Sequence, residues 1–159
     1  MAGITRHHLE NTENPRKIVD FQAPIEFTFA DILNEQSESA SLIGQSEIGE
    51  GRDLPTFAAG IWSSLRRAPA IINVGEARDY SSMNGCIAAS IQGHIVNTTT
   101  HAGSIAEGLR RMATEFPAEE QAARACDLIS SLQIFITQHL IRTTDGTRRF
   151  AVLEFLVFD

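Results

Sequence analysis

No Gly-rich phosphate loop of the form G-x-x-x-x-G-K-[ST] occurs anywhere in the 159 residues of this chain. The usual backbone cradle for nucleotide phosphates is therefore excluded from the sequence in view. A basic surplus is lacking too: 13 Lys and Arg stand against 20 Asp and Glu, for a formal net charge of −7. That argues against a nucleic-acid surface as the main function, because such domains are usually basic. Local patches at Arg66-Arg67 and Arg110-Arg111 stay open. Cysteine is scarce. Cys86 and Cys126 stand singly, with no C-x-x-C pair, so they read as reduced thiols in core or half-buried positions rather than zinc ligands. With no signal peptide in view, a cytoplasmic location is expected. No apolar run approaches the ~20 residues that a bilayer crossing needs, so any membrane contact is expected to be peripheral and through partners. Internal repeats and low-complexity tracts are absent as well.

What remains is an alternation of helical and strand-like segments in a length sufficient for one compact domain. Residues 1–10 read as a helix without an N-cap before it, and Asn11 to Pro15 as a turn. Lys17 to Phe21 is a short β-like run. Ala23 to Phe29 is extended, with Pro24 disfavouring helix locally. Residues 34–41 are polar and read as a loop, Leu42-Ile43 begins a strand, and Gly44 to Gly51 reads as irregular. Asp53 can N-cap a helix to about Arg67, with Phe57, Ile61, Trp62 and Leu65 at helical spacing. Then come strand 70–74, helix 81–91 and strand 95–99. Ser104, with Glu107 three residues on, caps a helix over 105–116, and a further helix runs from Pro117 to about Ser131. Two β-rich runs flank Asp145-Gly146, a strong hairpin signal. The expected fold is α/β: a mostly parallel sheet flanked by helices, closed by a C-terminal antiparallel hairpin.

The most telling stretches are Ile71-Ile72-Asn73-Val74-Gly75-Glu76 and Ile95-Val96-Asn97-Thr98-Thr99-Thr100-His101. Each is a short apolar run ending in a polar cluster, as a buried parallel strand looks when it delivers functional groups at its C-terminal end. Glu76 can orient or deprotonate an attacking water, or help hold a magnesium shell. It can equally be a surface partner of Arg78. His101 can donate to a phosphate or contact a neighbouring subunit, or simply cap the next helix. Glu26, fixed just after Pro24, can reach into the same cleft. Arg52 and Arg78 can stabilise charge on a transferring phosphoryl group, or be solvated loop residues. Among the histidines, His94 reads as structural and His7-His8 as a solvated pair. The spacing of His94 and His101 suits no metal.

These residues, taken together, resemble a known family. Ile72 to Asp79 is similar to the Walker B segment of type II/type IV secretion and pilus-retraction ATPases. Gly93-His94 through His101 resembles their His box, and Ala23-Pro24-Ile25-Glu26-Phe27 their Asp box. Gly51-Arg52-Asp53 with Phe57 and Leu65 to Pro69 resembles the helix before Walker B, and Phe116 to Glu120 with Gln133 and Gln138 the downstream region. The resemblance covers nearly the whole chain and leans toward the Dot/Icm-type and plasmid-conjugation branch.

The resemblance implies a RecA-like P-loop NTPase core that works as a hexameric ring. ATP and Mg2+ would be its cofactors, held between subunits, and its partner a secretion or conjugation inner-membrane complex. It implies Glu76 as the Walker B glutamate, His101 as the His-box histidine and Arg52 as a candidate trans arginine. Three departures stand out. The Walker A loop is absent, Gln22 occupies the Asp-box place where the family carries an acid, and Ala70 stands where an acid is expected near the start of Walker B. The chain as a whole, residues 1–159, is thus expected to be a partial motor domain, without the N-terminal domain and Walker A and with its C-terminal tail cut short. Weak activity of the chain alone is expected. The alternatives are a non-hydrolysing module that joins or regulates a ring, and an unrelated metal-assisted hydrolase using Glu76 and His101.

Overall fold

The computed structural model describes residues 1–11, 13–35 and 41–158, which form two compact units, Met1–Thr99 and Thr100–Asp159. The first unit contains α1 (Ala2–Glu10), β1 (Lys17–Gln22), α2 (Ala30–Glu35), β2 (Leu42–Glu47), α3 (Phe57–Leu65), β3 (Ile71–Val74), α4 (Tyr80–Ile91) and β4 (Ile95–Thr98). Its four strands form one sheet in the order β2-β1-β3-β4, every neighbouring pair parallel.

Register explains how the sheet is layered. Ile18 lies level with Ile43 and Ile71, and Ile71 with Ile95. Side chains alternate faces along a strand, so these four isoleucines share one face at the amino edge. Leu9 of α1, Phe29 just before α2, and Ile32 and Leu33 of α2 pack against that row. Two residues further along each strand the same face turns polar. Gln45, Asp20, Asn73 and Asn97 lie level with one another, and Thr5 Oγ1 of α1 accepts from Asn73 Nδ2 at 2.9 Å. Thr5 thus sits at the polar row and Leu9 at the isoleucine row. The N-terminus of α1 therefore points to the carboxyl edge of the strands.

The other face carries Val19, Phe21, Ile72 and Val74, all at most 3 % exposed. It is covered by α3, where Gly60 lets the helix approach Phe21: a Cβ there would meet the ring at 3.0 Å. Gly85 of α4 lies against Ile61 in the same way, at 3.3 Å from a Cβ position. Asp79 begins α4 through a complete capping box with Ser82.

The second unit contains α5 (Ile105–Thr114), α6 (Gln121–Ser131), β5 (Ile134–Arg142) and β6 (Arg149–Val157), the two strands forming an antiparallel hairpin around Gly146, whose φ is +72°. Ser104 caps α5 by accepting from Glu107 N at 3.2 Å. Glu154 of β6 ties the hairpin to the helix: its Oε2 accepts from Ile105 N at 3.2 Å and from Thr137 Oγ1 at 2.9 Å. Among the described residues, no helix is long and apolar enough to cross a membrane.

Four local readings are corrected. Gly44 to Glu47 is not irregular but the body of β2. Residues 30–35 form α2, where sequence reading finds no element over 30–33 and a loop from 34, and residues 36–40 of that polar stretch lie outside the described residues. Helix α3 begins at Thr56, whose hydroxyl accepts from Ala59 N, and ends at Leu65. Asp53 is not its cap, because its carboxylate accepts from Glu47 N at 2.8 Å instead. Trp62, spaced like a core residue, is 46 % exposed.

Candidate functional site

Strand connections leave β1 toward β2 on one side and resume at β3 on the other. The carboxyl ends of β1 and β3 thus flank the point where the strand order reverses, which in open α/β sheets is where ligands bind. The backbone there is tightly laced. Gly75 N donates to Phe21 O at 2.7 Å, Thr99 Oγ1 donates to Gly75 O at 2.5 Å, and Ala77 N donates to Thr99 O at 3.2 Å. Gly75 has to be glycine for this approach: a Cβ would lie 3.1 Å from Phe21 O and 3.4 Å from the Gln22 Cα, both backbone atoms. Gly75→Ala is accordingly expected to lower stability by about 1–3 kcal/mol, measured by urea unfolding, because neither strand end can yield without losing the 2.7 Å bond.

Glu76 follows directly and is half-buried, with Arg78 Nη1 3.6 Å from its Oε2. Arg78 itself is 67 % exposed, so the pair is a mobile, solvent-screened one. Arg52 lies on the loop after β2 and pairs with Glu47 at 3.5 Å. Glu26 is exposed, on the loop after β1, and its backbone N donates to Gln22 Oε1 at 3.2 Å. His101 is exposed and belongs to the second unit. His94 sits at the amino edge of β4, its Nδ1 2.7 Å from Pro69 O, as a structural residue would. His7 and His8 lie with ring centroids 5.8 Å apart, and burial followed by the charge of His7 lowers the His8 pKa. Cys86 is buried, and burial pushes its thiol up to about 12, so it is an inert core thiol. Cys126 is exposed.

Sequence reading missed Asp20. It is 1 % exposed at the centre of the polar row. Its Oδ2 accepts from Gln22 Nε2 at 2.6 Å and from Gln45 Nε2 at 2.8 Å, while its Oδ1 has no hydrogen-bond partner among the described residues. Burial raises its pKa, against the opposing pull of the Gln45, Gln22 and Asn73 amides around it. The signal that would have found the row is a repeated tripeptide: Ile18-Val19-Asp20, Ile43-Gly44-Gln45, Ile71-Ile72-Asn73 and Ile95-Val96-Asn97.

A nucleotide with magnesium fits these residues in part. The positive end of α1 faces the carboxyl edge with no acidic residue in its first turn, which favours an anion. Glu76 follows β3 at that same carboxyl edge. No lysine-bearing glycine loop is present in the sequence, and no group of three or more His, Cys, Asp or Glu suited to a metal ion occurs among the described residues. The arrangement offers a carboxylate and a helix dipole, without a phosphate cradle.

The sheet order and the edge position of Glu76 define the class: an α/β domain that presents its chemistry at the carboxyl ends of parallel strands. Within that class the chain belongs to the family of type II/IV secretion system proteins, whose model matches residues 7–154. It is 36 % identical over 141 residues to the type IV pilus retraction ATPase PilT of Pseudomonas aeruginosa, covering 89 % of this chain and 38 % of that protein. It is similar to the ATPase DotB of Legionella pneumophila at 39 % identity, with a TM-score of 0.90 over 99 % of this chain and 41 % of that one. A structure of the pilus retraction motor PilT with bound ADP matches at 27 % identity and a TM-score of 0.85, over 99 % of this chain and 43 % of that one. The chain therefore spans about two-fifths of the length of these relatives. The α/β class, with its parallel sheet and C-terminal hairpin, stands as the sequence suggested.

Proposed function

We propose that this chain supplies the catalytic carboxyl edge of a secretion or pilus motor that hydrolyses ATP with Mg2+. One observation carries the reading: Glu76 follows β3 directly at the reversal point of a parallel sheet, in a chain of the type II/IV secretion family. In this reading Glu76 orients the attacking water. Glu26, on the loop after β1, is a further candidate carboxylate, His101 is proposed as a catalytic residue on the family resemblance alone, and Arg52 and Arg78 are available to nucleotide or to a neighbouring subunit. The complete assembly is a hexameric ring in the cytoplasm, reaching the membrane only through a secretion or conjugation complex. Nucleotide phosphates are gripped by a glycine loop that this sequence lacks. A second reading is that the chain joins a ring without hydrolysing ATP itself.

One experiment addresses both. The chain is mixed with a complete relative of the family and run on size exclusion, with ATP turnover measured across the mixing ratio. Co-elution with a ratio-dependent change in turnover is expected. Separate elution with unchanged turnover overturns the ring assignment. Turnover by the chain alone at the level of the relative overturns the non-hydrolysing reading.

A further inference from the structure

A fully buried carboxylate in the middle of a sheet is expensive unless its hydrogen bonds accomplish something. Asp20 is 1 % exposed, and one of its oxygens takes hydrogen bonds from two glutamine side chains on two strands, Gln22 on β1 and Gln45 on β2. Both amides have a second partner, and both of those partners lie on the same short loop. Gln22 turns its Oε1 to the backbone N–H of Glu26, at 3.2 Å. Gln45 Nε2 also donates to the carbonyl of Phe27, at 2.9 Å. The two glutamines therefore hold the main chain on either side of the Glu26–Phe27 peptide link.

An amide group alone does not know which way to face. Its oxygen and nitrogen ends are nearly isosteric, and its orientation is set by its partners. Asp20, when ionised, is acceptor-only, so it can be approached only by the NH2 end of each glutamine. That forces Gln22 to present its oxygen outward, and an outward oxygen is what the N–H of Glu26 requires. Gln45 differs: one NH2 group serves both Asp20 and Phe27 O, so the carboxylate fixes the end of the amide that reaches the loop. A hydrogen bond to a charged acceptor is roughly twice as strong as a neutral one, which makes Asp20 the stiff end of both links.

We propose that Asp20 is the positioning residue of the Glu26 loop: it orients the amides of Gln22 and Gln45, which together clamp the loop at the carboxyl edge of β1. The proposal deepens the reading of this edge as a reaction site and takes its significance from it. Its geometry, however, is tested without nucleotide, so the two can fail separately. Asn73 and Asn97 extend the polar row away from Asp20. Asn97 Nδ2 donates to Asn73 Oδ1 at 3.0 Å, and Asn73 in turn reaches Thr5, so the row beyond Asp20 ends on α1 rather than on the loop. The clamp is thus a branch of the row on the β1–β2 side.

The test is native-state amide hydrogen exchange by NMR on the full chain. The exchange rate at Glu26 N–H is expressed as a ratio to that of Ile72 in β3, so that a change in global stability, which speeds the core amide at least as much as the loop amide, cannot by itself raise the ratio. In Asp20→Asn, which keeps the shape and removes the charge, the ratio is expected to rise at least threefold. Gln22→Met alone is expected to raise it at least tenfold, and the double variant Asp20→Asn/Gln22→Met no further, because Asp20 acts through Gln22 at this amide. A merely structural Asp20 leaves the ratio unchanged or lowers it, and either outcome overturns the proposal. So does full additivity in the double variant. Should Asp20→Asn not fold, the side-chain NH2 signals of Gln22 in wild type decide. Slowed exchange there relative to Gln133 supports the clamp, and equal exchange overturns it.

Discussion

Phe21→Ala is expected to destabilise the chain by about 3–5 kcal/mol, a large part of the ~5–15 kcal/mol that holds a domain of this size. Phe21 has no exposed surface and lies on the sheet face covered by α3. The residue facing it is Gly60, whose missing side chain cannot move in to fill the space a ring leaves. Helix α3 is itself held against α4 by the Gly85–Ile61 approach, so it cannot simply sink toward the sheet. The cavity therefore stays open, and the cost sits at the upper end of the range rather than the lower.

A double-mutant cycle makes this sharper. Gly60→Ala alone is expected to destabilise, since its Cβ would lie 3.0 Å from the Phe21 ring. In the Phe21→Ala background the clash is gone, and the same change gains about 0.5–1 kcal/mol of helix propensity. The two substitutions should couple by about 1–3 kcal/mol in urea unfolding. Additive behaviour would mean that the helix does not rest on this ring.

Much of this architecture was legible because local signals and packing agree. Ser104 and Glu107 announce the start of α5, Asp145-Gly146 announces the hairpin, and the run Ile71 to Val74 is apolar enough to be a buried strand despite Asn73. Where reading went astray, a side chain had a better partner than the local one. Asp53 looks like a helix cap, yet its carboxylate satisfies Glu47 N, and Thr56 takes over the cap. Gly44 and Gln45 look like loop residues, yet β2 gains its ladder from β1 regardless of propensity. Helix α2 is too short for periodicity to declare it, and it owes its place to Ile32 and Leu33 packing beside Leu9 and Ile18.

Asp20 escaped notice for a deeper reason. A polar residue inside an apolar run reads as an interruption, and the repeated tripeptide becomes a row only once strand register aligns its four copies. Register is a non-local property: Asp20 lies beside Gln45 and Asn73 because four strands align, not because of any neighbour in sequence. The candidate site was legible in the complementary way. Gly75-Glu76 was found because glycine followed by a carboxylate at a strand end is a local signature. The sequence also offered Arg78 as the partner of Glu76, and the two do pair; what it could not give is the weave of Phe21, Gly75 and Thr99 that fixes where the glutamate starts.

Glu76→Gln is expected to lower ATP hydrolysis by rings that contain this chain by about 10²–10⁴-fold if Glu76 handles the attacking water. The substitution keeps the shape and removes the ability to take a proton, so nucleotide binding should change little. Stability should change little as well. The Glu76–Arg78 contact is 3.6 Å long with a guanidinium 67 % exposed, and ion pairs of this kind contribute about 0–1 kcal/mol. A large loss of turnover with unchanged unfolding thus isolates chemistry from packing. Arg78→Ala supplies the contrast. If the glutamate serves only as a surface partner of the arginine, both variants leave turnover where it was, and the catalytic assignment falls. If Glu76 acts on water, the two variants separate: the arginine variant keeps a proton acceptor at the strand end and retains turnover within about tenfold, well above the loss a missing general base produces. Glutamate, not the pair, would then be the functional unit at this edge.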